Sequence, residues 1–262
     1  MSHTGPSAPG PTGWHISCLK VLAPDQPCAD RIAEILSMLL SAELPAQCQE
    51  LFASGTLTVL SKDNGGVRPI VTRSTWVRLL SKAIVAKEQP ALARPLAPLQ
   101  CGVGMQGGSE FIVHSVRHML SVNPTWTLTT IDAANAYGTV SRSAIRRQLS
   151  DAVAPHAFTM AYFDRFCAPQ FLIRHGRNFK VSVAEGVIQG DPLSPLLFAL
   201  ALQPALLKTE QTLKTFQPQV DNARVFAYLD DVCILAPAPA TVSVFNTFRK
   251  AAADVGLLIN QT

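Results

Sequence analysis

Val225-Phe226-Ala227-Tyr228-Leu229-Asp230-Asp231-Val232-Cys233-Ile234-Leu235 sets two short apolar runs, Val225 to Tyr228 and Val232 to Leu235, on either side of Leu229-Asp230-Asp231. β-branched and aromatic runs broken by a tight polar connection predict an antiparallel hairpin. A turn is exposed, so a solvated Asp-Asp pair is one ordinary way to finish such a hairpin. The same pair is also an oxygen-rich seat for a hard cation. A second acidic strand end bears on the choice. Thr127 to Ile131 alternates in the manner of a strand and stops at Asp132. With that strand beside the hairpin, all three carboxylates would meet at one end of one sheet.

Working outward, the remaining segments alternate between short β runs and helical stripes. Leu57 to Leu60 and Val67 to Val71 flank Asp63-Asn64-Gly65-Gly66, a strong hairpin-turn signal. Phe171 to Ile173 and Phe179 to Val183 pair around Gly176. Helices are predicted from Arg31 to Leu40, from Ser74 toward Lys87, from Ser143 to Val153 and from His156 to Phe166. Asp191-Pro192 has N-cap and first-turn chemistry for a helix running to Leu207, and Thr241 caps a helix with a Phe245, Phe248, Ala252, Val255 stripe closed by Gly256. Residues 1–13, rich in Pro, Gly and Ser, read as a flexible tail. The fold class is α+β, antiparallel hairpins with covering helices.

Composition narrows the class further. With 262 residues, 48% of them hydrophobic and 15% charged, the chain can bury a sizeable core and is not a disordered tail. The net charge of +4 is only mildly basic, but its distribution is uneven. Lys62, Arg68, Arg73, Arg78, Lys82, Lys87 and Arg94 face only Asp63 and Glu88 over one stretch, and Arg142 to Lys180 is similarly biased. Two basic blocks around an acidic centre suit a protein that holds a polyanion near cation-binding carboxylates, and solvated helix faces are the simpler alternative for either block alone. The six scattered cysteines lack zinc-knuckle spacing and read as reduced thiols. The uncharged stretch from Pro192 to Leu207 is short and carries Pro195 and Pro204, so no membrane span is expected. Trp76 and Trp126 are expected in the core.

Three strings carry a resemblance. Ile131-Asp132-Ala133-Ala134-Asn135-Ala136-Tyr137-Gly138-Thr139-Val140-Ser141-Arg142 is similar to the first metal-binding motif of reverse transcriptases, and Tyr228-Leu229-Asp230-Asp231 to their aromatic-x-Asp-Asp turn. Gly186-Val187-Ile188-Gln189-Gly190-Asp191-Pro192-Leu193-Ser194-Pro195-Leu196-Leu197-Phe198 resembles their Gln-Gly-x-x-x-Ser-Pro signature, in a form closest to the enzymes of non-LTR retrotransposons. Lys62 to Ile70 resembles the fingers hairpin, Gln100-Cys101-Gly102-Val103 with Gly107-Gly108 the block after it, and Gly256-Leu257-Leu258-Ile259-Asn260 the motif after the catalytic turn. The six blocks stand in family order across residues 56–260. Two positions depart from the pattern: Ile188 stands where many relatives carry a basic residue, and Gly138 where many carry Asp or Asn.

The resemblance implies a right-hand polymerase with fingers at about 14–125 and 143–184, a palm at about 126–142 and 185–262, and no thumb before the last residue, Thr262; it thus implies part of a longer enzyme. The implied activity is RNA-directed DNA polymerisation from an RNA template, a DNA primer and dNTPs, with two Mg²⁺ ions, replaceable by Mn²⁺, and a nuclear setting. Asp132 and Asp230 would be the main metal ligands, Asp231 would assist, and the Ala133 carbonyl would complete a coordination sphere. Lys62 and Arg68 would reach the triphosphate. Tyr137 would exclude a 2′-hydroxyl, and Gln189 and Gly190 would contact the nucleotide and template. The rival reading is a catalytically silent RNA-binding or scaffold remnant of the same fold.

Overall fold

A computed structural model describes residues 8–41, 44–61, 65–152, 156–167, 171–174, 178–181, 183–216 and 224–260. The first helices are α1 (Ile16–Leu22), α2 (Gln26–Leu40) and α3 (Ala46–Ala53), followed by strands β1 (Gly55–Ser61) and β2 (Val67–Arg73) and helix α4 (Thr75–Ala93). Next come α5 (Gly108–Val122), β3 (Trp126–Ile131), β4 (Ala133–Ala134), α6 (Ala136–Thr139), α7 (Arg142–Ser150) and α8 (Ala157–Phe166). Strands β5 (Phe171–Arg174) and β6 (Asn178–Val181) precede the long helix α9 (Ser194–Phe216). Strands β7 (Val225–Tyr228) and β8 (Asp231–Pro237), helix α10 (Thr241–Ala253) and strand β9 (Leu258–Ile259) complete the chain. The sheets are β1-β2, β3-β8-β7, β4-β9 and β5-β6, each antiparallel. Among the described residues no helix is long and apolar enough to cross a membrane.

The chain forms two compact units, one of residues 1–88, 156–184 and 188–194, the other of 89–155, 185–187 and 195–262. The sequence reading divided the chain differently, and the physical reasons are local. Ile112, Val116, Met119 and Leu120 recur at helical spacing along α5, a helix not anticipated from sequence, and pack on the buried cluster of Cys101, Trp126, Phe226 and Leu235. That joins residues 89–125 to the second unit. Residues 188–194 belong to the first because Asp191 is buried there. Its carboxylate faces the Arg73 guanidinium at 3.3 Å and accepts hydrogen bonds from Ser81 Oγ at 2.7 Å, Tyr162 Oη at 2.5 Å and the Leu193 N–H at 2.9 Å. Asp191 thus accepts from the N–H two residues on, as a cap does, while α9 itself begins at Ser194, three residues after it. The helix then runs past the expected Leu207, and every residue from Leu196 to Leu202 is buried.

Other helix ends moved for similar reasons. α4 continues through Pro90 instead of stopping before it; the ring and the Ala86 carbonyl that loses its partner are both on an exposed stretch, open to solvent. Glu88, nearly fully buried, accepts from the N–H groups of Phe158 and Thr159 at 3.1 and 2.8 Å and so satisfies the orphan donors that open α8. Thr241 does not act as a cap acceptor: its hydroxyl donates to the Pro237 carbonyl and lies 2.6 Å from that of Thr127. Residues 8–13, expected as tail, lie against the start of α4: the Ala8 carbonyl accepts from Arg78, and Trp14 meets the buried Trp76 edge-on at 5.3 Å. Trp126 is also buried, as expected.

Candidate active site

Strand register decides where the acidic side chains go. In the antiparallel β3-β8 pair Ile131 sits opposite Val232, so Asp132, the next residue on one side, comes beside Asp231 on the other. Tyr228 pairs with Asp231 across the β7-β8 hairpin, leaving Leu229 and Asp230 as its turn. Asp132 and Asp231 line one cavity of about 760 Å³ with Cys233, Phe245, Arg249 and Asn260. Burial, then the Asp230 carboxylate, then Asp132, push the Asp231 carboxyl above its ordinary range. Like charges so placed disfavour ionisation, and a cation between them would reverse that.

The turn is held by a residue whose role the sequence did not suggest. Leu229 adopts φ +59°, a left-handed conformation costly for a branched side chain. Gln100, completely buried, clamps the peptide units on both sides of Leu229: its Oε1 accepts from Leu229 N–H at 2.8 Å and from Gly102 N–H at 3.0 Å, and its Nε2 donates to the Leu229 carbonyl at 3.3 Å. Cys101 N–H to the Ala227 carbonyl and Ala227 N–H to the Leu99 carbonyl, both 2.7 Å, run this segment along β7 like an added strand. A side chain at Gly102 would collide with the Leu229 N–H, so glycine is required by close approach. The signal in the sequence was the block Gln100-Cys101-Gly102-Val103 itself, but nothing in the spacing told that its amide would reach a turn so distant in the chain.

Tyr137 stands on the short helix α6. Its ring stacks on the buried Phe198, centroids 5.0 Å apart and planes within 4°. Burial, helped by the Asp230 carboxylate, raises the hydroxyl pKa well above its usual value. Gly186 N–H donates to the Val140 carbonyl at 3.0 Å and Val187 N–H to that of Tyr137 at 2.7 Å. Arg142 secures this segment through Nε to the Gly186 carbonyl and its N–H to Glu185 Oε2. At Gly138 a Cβ would meet only the movable amide end of the exposed Asn135 side chain, so the structure gives no reason for the departure from Asp or Asn.

The remaining predicted site residues lie in the first unit. Arg68 is exposed on β2 opposite Leu60, and Lys62 lies outside the described residues. The Gln189 carbonyl accepts from Val71 N–H at 3.0 Å, and Gly190, at φ +110°, rests against the Val71 carbonyl. Ile188 is buried with Val71, Leu57 and Val183, an apolar setting in which a basic side chain would be costly. Arg73, counted in a basic block, is spent on Asp191 and offers no charge to a polyanion.

Among the described residues no three His, Cys, Asp or Glu side chains form a set that would hold a metal ion alone. Mg²⁺ does not require one, since it takes one or two carboxylates together with substrate phosphates and water. Asp132 and Asp231, hard oxygen donors in mutual repulsion on one cavity, fit that demand. Ala133, in β4 opposite Ile259, follows Asp132 directly.

Helices around an antiparallel sheet with acidic strand ends make an α+β polymerase fold. Residues 60–262, well over half the chain, match the family model described as reverse transcriptase (RNA-dependent DNA polymerase), and the chain belongs to that family. It is 27% identical over 269 residues to the retrotransposable element SLACS 132 kDa protein of Trypanosoma brucei gambiense, covering 97% of this chain and 21% of that protein. It is also 27% identical over 202 residues to the Pol polyprotein from the type-1 retrotransposable element R2 of Popillia japonica, covering 70% of this chain and 27% of that protein. Both are retrotransposable-element proteins, in keeping with the non-LTR form of the Gln189–Phe198 string, and the chain spans about a quarter or less of each. In fold it resembles the telomerase of Candida albicans solved with a TWJ fragment of telomeric RNA (TM-score 0.61, 13% identity, 83% of this chain and 42% of that one). Apo telomerase of Candida tropicalis is a second likeness (TM-score 0.56, 13% identity, 80% and 49%).

Proposed function

We propose that this chain adds deoxynucleotides to a primer 3′-hydroxyl under the direction of an RNA template, as part of a non-LTR retrotransposon-like enzyme. The observation that carries the reading is the β3-β8 register, which brings Asp132 beside Asp231 on one cavity in a chain of the RNA-dependent DNA polymerase family. A pair of divalent cations bound there would lower the charge barrier to attack of the 3′-oxygen on the α-phosphorus and to departure of pyrophosphate. Asp132, Asp230 and Asp231, with the Ala133 carbonyl, are the residues that would hold them.

The chain's own side chains would do the rest. Tyr137, braced on Phe198, would block the space a 2′-hydroxyl needs, a role for which the support is the motif resemblance. For Lys62 and Arg68 as triphosphate contacts, and for Gln189 and Gly190 as contacts to nucleotide and template, the support is the motif resemblance. Two cations there would offset charge on the leaving phosphates. In this reading the first unit supplies fingers and the second most of the palm.

The test is extension of a DNA primer on an RNA template by the purified chain. Expected is dNTP incorporation with Mg²⁺, loss on chelation and recovery with Mn²⁺. Template binding with no incorporation under any of these conditions would favour the silent RNA-binding alternative, and metal-independent extension would contradict the metal assignment.

A further inference from the structure

Asn260 carries no assigned role, yet it contacts Asp132 twice. Its Nδ2 donates to Asp132 Oδ2 at 2.6 Å, and its N–H donates to the Asp132 carbonyl at 3.0 Å. The two-residue pairing of β9 with β4 sets this up: Ala133 lies opposite Ile259, so the next pair outward in the antiparallel register is Asp132 with Asn260. Both side chains line the same cavity.

We propose that Asn260 is a positioning residue that fixes the Asp132 carboxylate, holding Oδ2 and leaving Oδ1 turned to a divalent cation. The proposal rests on the reading of Asp132 as a cation ligand. An ionised carboxylate has about four lone-pair directions, so one hydrogen bond leaves ample capacity for a metal. A hydrogen bond to a charged acceptor is stronger than a neutral one and holds a preferred rotamer. The donor's neutrality matters as much as its position. A lysine or arginine at the same place would orient the carboxylate but cancel the charge a cation needs. An amide orients it and leaves the charge intact. The main-chain bond from Asn260 adds a second constraint, because it ties the end of β3 to β9 whatever the side chain does.

The test is Mn²⁺ binding by the full chain without nucleic acid, followed through the loss of the free-ion electron paramagnetic resonance signal. Asn260→Ala removes only the side-chain bond, since the main-chain bond needs no amide. Loss of an outer partner of a metal ligand weakens binding by about 10–100-fold, and a fall of about 10-fold is expected here. The melting temperature should hold, because Asn260 is exposed. Asp132→Asn is run alongside and should bind Mn²⁺ far more weakly still. Wild-type affinity in Asn260→Ala, with binding lost in Asp132→Asn, overturns the positioning role and leaves the ligand assignment standing. Wild-type affinity in Asp132→Asn overturns both. Should Asn260→Ala melt lower, titration well below its melting point still reads the affinity, and an unchanged value again overturns the proposal.

Discussion

Asp231 pays for its position in the folded chain. Its carboxyl titrates above its ordinary range through burial and the nearness of Asp230 and Asp132. A carboxyl with a raised folded pKa destabilises the fold once pH exceeds that pKa, and the penalty vanishes below the unfolded value of about 3.9. Asp231→Asn should therefore raise the melting temperature at pH 7 in metal-free buffer, with the gain gone below about pH 3.9. A gain that persists in acid would mean that relief of repulsion is not its cause. Mg²⁺ should stabilise the wild type, as any ligand of the folded state does, and should stabilise Asp231→Asn less. At Tyr137 the expected change is in selectivity. Tyr137→Ala should raise ribonucleotide use relative to deoxynucleotide use by about 10–100-fold, the usual worth of a steric contact in a pocket. An unchanged ratio in primer extension would leave the ring a packing partner of Phe198 and nothing more.

Elements carry the next layer, because two buried polar contacts hold the site-bearing segments in place. Gln100→Ala would strand the Leu229 and Gly102 N–H groups; a buried donor left without its acceptor costs about 1–3 kcal/mol. The left-handed Leu229 would lose its clamp, so incorporation should fall further than stability alone explains, as read by single-turnover rates at a temperature where the variant is folded. In the first unit Arg73→Leu would leave the buried Asp191 without its counter-charge, a change that costs about 3–5 kcal/mol. Chemical denaturation reads it, and a loss under about 1 kcal/mol would contradict the ion pair's importance.

These same contacts mark the limit of what the sequence made legible. The β7-β8 and β1-β2 hairpins follow from local pattern with ends close to those observed, and the apolar stretch within α9 follows from it too, though not the helix's run on to Phe216. The start of α9 was misplaced because Asp191-Pro192 satisfies every local rule for a cap, while the Asp191 carboxylate is engaged by Arg73 and Tyr162 from far along the chain. α5 was missed although Ile112, Val116, Met119 and Leu120 keep helical spacing. At the site, the aspartates were visible as strand ends. Gln100 and Asn260 were not, since each acts on a residue 128 or 129 positions away.

At the scale of the whole molecule, electrostatics are modest in sum and uneven in place. Arg73 and Arg224 are fully buried opposite Asp191 and Glu210, so neither contributes to a field that an RNA would feel. Template binding should then depend on exposed cations such as Arg68 and weaken linearly in log–log form as salt rises, with a slope near −0.7 per phosphate contact to single strands. Salt-independent binding would argue against a phosphate-tracking surface. The most direct measurement is the single-turnover rate of adding one dNTP to a DNA primer on an RNA template at saturating Mg²⁺, for the wild type and for Asp132→Asn. Predicted is a fall of about a thousandfold at unchanged melting temperature, corresponding to the several kcal/mol a bound cation contributes to phosphoryl transfer. A variant rate within about twofold of wild type, less than 1 kcal/mol in barrier, would contradict the assignment of these carboxylates to catalysis.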